Sequence, residues 1–280
     1  MNLKIRNHYF ILACLLVGFG QTSFAQIPYG SNNGKYLKVK NASLYYEEYG
    51  QGQPLLLLHG GMGSINNFKK VIEPLSKQFK VYAIDSPGQG RSPQIDSISY
   101  KIFADYYAAF IDEMKLDSAY VMGWSDGGNS AFILAHDRPD KVKKVVAIGA
   151  NSDTDGYRAG MLNWVKSWKI DPETAGINNG WLAEFNKLSP NAKTWEKSFS
   201  QLKYMWITKE VISDKDLASI KSKILLLYGD KDLATLEHII HLKNTIKGIQ
   251  LCILPNTPHN VFDKKSEMVS KLVIDFLKPQ

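Results

Sequence analysis

The chain predicts an α/β sandwich, a mostly parallel sheet covered by helices on both faces, and three observations predict it. Six short apolar runs, at 55–58, 81–84, 119–122, 145–148, 224–228 and 251–254, show no polar alternation, as strands buried on both faces do. Amphipathic stretches of helix length space these runs, which is what parallel strands need for their crossover connections. The 280 residues, 44% hydrophobic and 22% charged, suffice to bury a substantial core and exclude a disordered or fibrous chain.

Taken in order, residues 1–25 stand apart from that core. Lys4 and Arg6 precede an apolar run over 9–19, and Ser23 and Ala25 put small residues at the −3 and −1 positions of a cleavage site after Ala25. The segment reads as a signal peptide, because the apolar run is far shorter than the about 20 residues that a spanning helix needs. The expected product is periplasmic or secreted, with no integral membrane segment. It carries 32 basic and 27 acidic residues, net +5, with no run of five Lys or Arg. That pattern is a solvated surface and argues against a nucleic-acid partner. Cys14 leaves with the signal, so Cys252 is left alone and no intrachain disulfide is expected.

After a polar leader over 26–34, the segments 36–39 and 44–49 flank a short turn and read as a hairpin. A helix is predicted over 100–115 from the spacing of Phe103, Tyr107, Phe110, Ile111 and Met114, and others over 129–136 and 260–277. Between 151 and 219 no strand-like run occurs, yet Trp164, Trp168, Trp181, Trp195 and Trp206 fall there. A structureless loop of that length is improbable inside a compact domain. The reading is therefore a core of 35–150 and 220–280 interrupted by a helical cap over 151–219, whose tryptophans mostly pack, with one or two facing a cavity.

The chemistry concentrates where the run 119–122 meets Gly123-Trp124-Ser125-Asp126-Gly127-Gly128 and a helix follows. A strand–G-x-S-x-G–helix turn holds a serine on a sharp elbow, with glycines where a Cβ would block close backbone approach. A serine hydroxyl is a weak nucleophile at neutral pH and needs a base oriented by a third group. Among the histidines that remain after signal removal, His136, His238 and His241 fall on predicted helices, and His59 ends an early strand. His259 follows the last strand, in a loop at the carboxyl edge of the sheet where the elbow also points, and is the predicted base. For the orienting acid, Gly229-Asp230-Lys231-Asp232 offers two carboxylates: Asp230 suits a turn cap and Asp232 lies further out, and spacing does not separate them.

An oxyanion needs backbone N–H donors already aimed at it. Asp126, directly after the serine, is one candidate; the second comes from His59-Gly60-Gly61-Met62-Gly63, with Gly61 favoured over Met62. His59 itself reads as a structural residue at the base of that loop. The Asp126 carboxylate suits the first turn of a helix, where the dipole favours it by about 0.3–1 kcal/mol. A sharper expectation is that it binds a substrate ammonium. Two decoys fail. Gly88-Gln89-Gly90 lacks the third glycine of a dinucleotide fingerprint and reads as a turn. Glu237, His238 and His241 have neither the order nor the i, i+4 spacing of a zinc helix, and no metal is expected.

Over residues 35–278 the chain resembles the α/β-hydrolase superfamily. The elbow at 123–128, Gly149-Ala150-Asn151 and Pro258-His259-Asn260 are similar to those of valacyclovir-hydrolase-type, biphenyl-hydrolase-like serine hydrolases. The resemblance implies a triad of Ser125, Asp232 and His259, an oxyanion hole of Gly61 and Asp126, no cofactor, and a small-molecule substrate with a carboxylic ester: an α-amino-acid ester, a small amide or a simpler ester. Asp232 is selected over Asp230 by that resemblance alone. Two features depart from the pattern: Leu233-Ala234-Thr235 stands where many relatives have a proline-containing turn, and an export signal is present. A carbon–carbon-bond hydrolase or lactonase with the same triad, or a ligand-binding protein of low turnover, are the alternatives, because the cap sets substrate choice.

Overall fold

Apart from the run 251–254, which forms an edge strand and leaves Ile253 37% exposed, each apolar run sends alternate side chains into two buried layers, which is why no polar residue interrupts it. In β3 (Pro54–Leu58), Leu56 and Leu58 enter one layer, and Leu55 and Leu57 enter the other. Val145 and Ala147 are divided from Val146 and Ile148 in the same way in β6 (Val142–Ile148). The computed structural model describes residues 34–169, 179–209 and 211–278, so the predicted signal peptide and residues 26–33 of the leader lie outside the described residues.

The strands are β1 (Lys35–Val39), β2 (Ala42–Tyr49), β3, β4 (Lys80–Ile84), β5 (Ala119–Trp124), β6, β7 (Lys223–Lys231) and β8 (Gln250–Pro258). They form one sheet in the order β1-β2-β4-β3-β5-β6-β7-β8; β2 runs antiparallel to its two neighbours and the other pairs are parallel. On one face lie α2 (Tyr100–Glu113), α3 (Asp126–Asp137) and α8 (Leu236–Thr245); on the other lie α1 (Ile72–Ser76) and α9 (Phe262–Leu277). Between β6 and β7 the described residues form α4 (Met161–Ser167), α5 (Asn179–Leu188), α6 (Trp195–Ile207) and α7 (Asp214–Ser219). Helices therefore occupy the described part of the interval in which no strand-like run occurs.

Some boundaries differ from the sequence expectation for identifiable reasons. α3 starts at Asp126 rather than 129, because Gly127 and Gly128 form its first turn despite the poor helix propensity of glycine. β7 and β8 run past the apolar segments to Lys231 and Pro258, because the Asp230 carboxylate accepts the N–H groups of Asn256 and Thr257 at 2.8 Å each and holds the ends together. A 3-10 turn over Ile65–Phe68 and the five-residue α1 were not expected. Their signal was present in Ile65, Phe68, Ile72 and Leu75, all fully buried at helical spacing, but Pro74 and the shortness of both pieces mask it. The carboxyl ends of β3, β5, β6, β7 and β8 lie along one edge, where parallel sheets bind ligands.

Candidate active site

Ser125 sits at φ 54°, ψ −121°, outside the regions open to most L-residues, between the end of β5 and the first residue of α3. The strain is held by the surroundings: Ser125 N–H donates to the Ile148 carbonyl at 2.8 Å, and its own carbonyl accepts from Asn129 N–H at 2.9 Å. Glycine is needed on both sides. A Cβ on Gly123 would overlap the Gly127 carbonyl, and one on Gly127 would overlap the Leu58 carbonyl at the end of β3. That contact brings the elbow against the loop that follows β3. A Cβ placed on Gly60 would stand 3.1 Å from Ser125 Cβ.

The structure brings three predicted residues together. His259 Nε2 lies 2.9 Å from Ser125 Oγ, and His259 Nδ1 lies 2.6 Å from Asp232 Oδ1. Asp232 is 1% exposed; it also accepts the Leu233 N–H at 2.6 Å. A buried carboxylate on Nδ1 favours the tautomer with its proton there, which leaves Nε2 as an acceptor for the serine proton. Asp230 points elsewhere, to the backbone of 256 and 257, and does the turn-capping work. Trp124, the unassigned residue of the elbow, is a further member of the site. Its indole N–H donates to the His259 carbonyl at 3.0 Å, and its ring lies 5.4 Å from the imidazole. Sequence offered no signal for it beyond its place beside the serine.

His59 has the structural role expected of it. Its Nε2 accepts the Ser86 N–H at 2.9 Å, so its Nδ1–H donates to the Gly60 carbonyl at 2.7 Å, and burial pushes the imidazole pKa down. His238 and His241 face away from the triad: one accepts from Ser152 N–H at 3.2 Å and the other is 2.8 Å from Asp214.

Ser125, Asp126 and His259 line a cavity of about 140 Å³, together with Gly61 and a wall of Trp124, Trp168, Trp181 and Trp206. Three of those tryptophans come from the insertion, against one or two expected. Met62 does not line this cavity; it is 7% exposed and packs into the core, so Gly61 is the one of the two candidate donors on the cavity wall. A Cβ on Gly61 would overlap both Asp126 Oδ2 and the Trp206 ring, so the loop passes where only glycine fits. The departure at Leu233-Ala234-Thr235 also acquires a shape. Leu233 and Ala234 line the cavity, and Thr235 caps α8 through His238 N–H.

Asp126 is 4% exposed at the cavity floor, and accepts the Tyr100 hydroxyl at 3.1 Å and the Trp206 indole N–H at 2.7 Å. Burial outweighs those two donors and raises its pKa from 3.8 to about 6. The fold therefore binds more protons here than the unfolded chain between those values, and stability falls as pH rises through them. The full cost at neutral pH is about 3 kcal/mol, at 1.36 kcal/mol per pKa unit. Denaturant unfolding at pH 4 and pH 7.5 should show Asp126→Asn losing less stability across that interval than wild type; parallel profiles would contradict the assignment.

The chain matches the alpha/beta hydrolase fold family over residues 53–266. It is 28% identical over 248 residues to serine hydrolase BPHL of Mus musculus, covering 86% of this chain and 84% of that one. It is 26% identical over 250 residues to 2-hydroxy-6-oxo-2,4-heptadienoate hydrolase of Pseudomonas putida, covering 82% and 91%. Among solved structures, the meta-cleavage product hydrolase CumD of Pseudomonas fluorescens IP01 superposes with a TM-score of 0.72 at 22% identity, covering 87% of this chain and 97% of that one, which shows the shared fold. With the sheet order, the elbow and the family match in agreement, the chain belongs to the α/β-hydrolase family and is a hydrolase.

Proposed function

We propose that the protein hydrolyses small carboxylic esters through a covalent acyl-serine. The observation that carries this reading is the continuous relay Asp232–His259–Ser125, with separations of 2.6 and 2.9 Å, whose Ser125 and His259 line an aromatic-walled cavity. In this scheme His259 Nε2 takes the Ser125 proton as Oγ attacks the substrate carbonyl, and Asp232 stabilises the imidazolium. The backbone N–H groups of Asp126 and Gly61 stabilise the oxyanion. The imidazolium then gives its proton to the departing alcohol, and a water deprotonated by His259 releases the acid. A cavity of this size suits a substrate group about as large as a benzene ring.

Asp126 narrows the reading to esters that carry a positive charge near the carbonyl. It is the cavity's acidic group, and above about pH 6 its carboxylate is ionised and faces the space beside Ser125. No Lys or Arg is found among the described residues that line the cavity. That lining disfavours substrates bearing a carboxylate, the kind processed by the dienoate hydrolase relative, and favours an α-amino ester over the carbon–carbon alternative.

The test compares one α-amino ester with its N-acylated counterpart. Asp126→Asn should lower kcat/KM for the amino ester about 10- to 100-fold more than for the acylated one, the range expected for a charged hydrogen bond. Equal losses would remove the ammonium assignment and leave the esterase reading standing. Export to the periplasm or outside the cell is also proposed, on the pattern of residues 1–25.

A further inference from the structure

The loop over 59–64 carries Gly61 past the nucleophile, and the core holds it firmly at both ends. At its start, His59 bonds to Ser86 and to Gly60. In its middle, Gly63 N–H returns to the Gly60 carbonyl at 3.1 Å. Just beyond its end, Ile65 N–H donates to the buried Asp85 carboxylate at 2.8 Å. A further tether comes from the insertion. Glu184, on α5, accepts the Ser64 hydroxyl at 2.7 Å and the Asn66 side-chain amide at 3.0 Å, both on the same oxygen.

Several features make this more than a surface contact. Ser64 is fully buried and caps the turn over Ile65–Phe68, where its oxygen accepts the Asn66 N–H at 3.2 Å. Its hydroxyl proton is therefore free for one purpose, and that is to donate to Glu184. Among the described residues no Lys or Arg forms an ion pair with Glu184, and both bonds to this turn fall on its Oε1. The insertion also reaches the elbow itself, where the Trp206 indole donates to Asp126 beside Gly61.

We propose that Glu184 is a positioning residue that couples the seating of α5 to the oxyanion loop and, together with the tethers from the core, aims the Gly61 N–H. The proposal rests on reading Ser125 as the nucleophile. Catalytic donors must be held to within about 0.5 Å, and losing one outright costs about 100- to 1000-fold in kcat. A loosened donor costs less than a lost one.

Glu184→Ala should lower kcat for a short-chain nitrophenyl ester about 5- to 30-fold while KM changes by less than about threefold, because an interaction made only in the transition state is weakened. Glu184→Gln keeps an oxygen for both donors and should restore kcat to within about threefold of wild type. Ser64→Ala leaves α5 intact and removes the hydroxyl arm of the same tether, together with the cap on Asn66 N–H, while the Asn66 amide keeps the other arm. Its loss and that of Glu184→Ala should fail to multiply in the double variant. Unchanged kcat in Glu184→Ala, no rescue by Gln, or multiplying losses would each overturn the proposal. Activity that survives Ser125→Ala would instead overturn the reading on which it rests.

Discussion

Ser125→Ala is expected to lower ester hydrolysis by at least about 10⁴-fold, leaving only the residual rate that binding and oxyanion stabilisation supply without a nucleophile. The size of the effect follows from the composition of the cavity wall. No other Ser, Thr or Cys is among the described residues that line it, so no second nucleophile can be recruited within reach of His259 Nε2. The substitution should leave the fold intact. Alanine must accept the same positive φ as serine, and the backbone bonds to Ile148 and Asn129 do not involve the side chain. Circular dichroism and an unfolding curve close to wild type, with turnover of a short-chain nitrophenyl ester lost, is the expected combination. Retained turnover at more than about one part in a hundred would mean that the hydrolysis occurs elsewhere.

Asp232→Asn is expected to cost about 10³- to 10⁴-fold in kcat with little change in KM, because it alters the tautomer of the base rather than the shape of the site. Asp232 Oδ1 receives the Nδ1 proton of His259 at 2.6 Å and the N–H of Leu233 at 2.6 Å. An amide oxygen at the Oδ1 position keeps both bonds but sets its NH₂ against the Gly229 N–H, which donates to Asp232 Oδ2 at 3.4 Å, and loses the charge that stabilises the imidazolium; the reverse orientation sets the NH₂ against Nδ1. If the NH₂ faces Nδ1, the imidazole must carry its proton on Nε2, and it can no longer accept from Ser125. The paired control is Asp230→Asn. Asp230 serves only the backbone of 256 and 257 and the geometry of the β7 and β8 ends, so its loss should change kcat by less than about tenfold, through small shifts of His259. The same assay on both variants separates them, and comparable losses would contradict the division of labour between the two carboxylates.

That division marks the limit of what is legible in the sequence. The strand segments, the elbow and the position of His259 were legible because they rest on local signals: continuous apolar runs, glycines flanking a serine, a histidine just past the last strand. The choice between Asp230 and Asp232 was not, because it depends on which carboxylate the β7–β8 pairing consumes, and that is a contact between residues 26 and 27 positions apart. The tryptophans of the insertion were visible as a cluster, but which ring faces inward is set by packing among α4, α5 and α6. Asp85 and Arg91 were missed for a similar reason. Their ion pair, at 3.2 Å with both side chains at most 2% exposed, supports the loop that bonds Ile65, and in sequence Arg91 was one residue of a glycine turn. Glu184 had no signal at all: a glutamate on an amphipathic helix looks like a solvated face until a buried hydroxyl is found pointing at it.

Asp126 joins the two halves of the site. Its backbone N–H is the proposed oxyanion donor from the core, its side chain is bound by the insertion, and its burial makes ionisation costly near neutral pH. Strain in Ser125 and a raised pKa beside it both lower stability, the usual accompaniment of a site built for chemistry.

The most direct measurement is labelling of the intact protein with a fluorophosphonate, followed by peptide mapping. The account predicts one adduct per chain, on the oxygen of Ser125, absent in Ser125→Ala and formed far more slowly in His259→Ala. An adduct on any other residue, or labelling of Ser125 at an undiminished rate without His259, would contradict it.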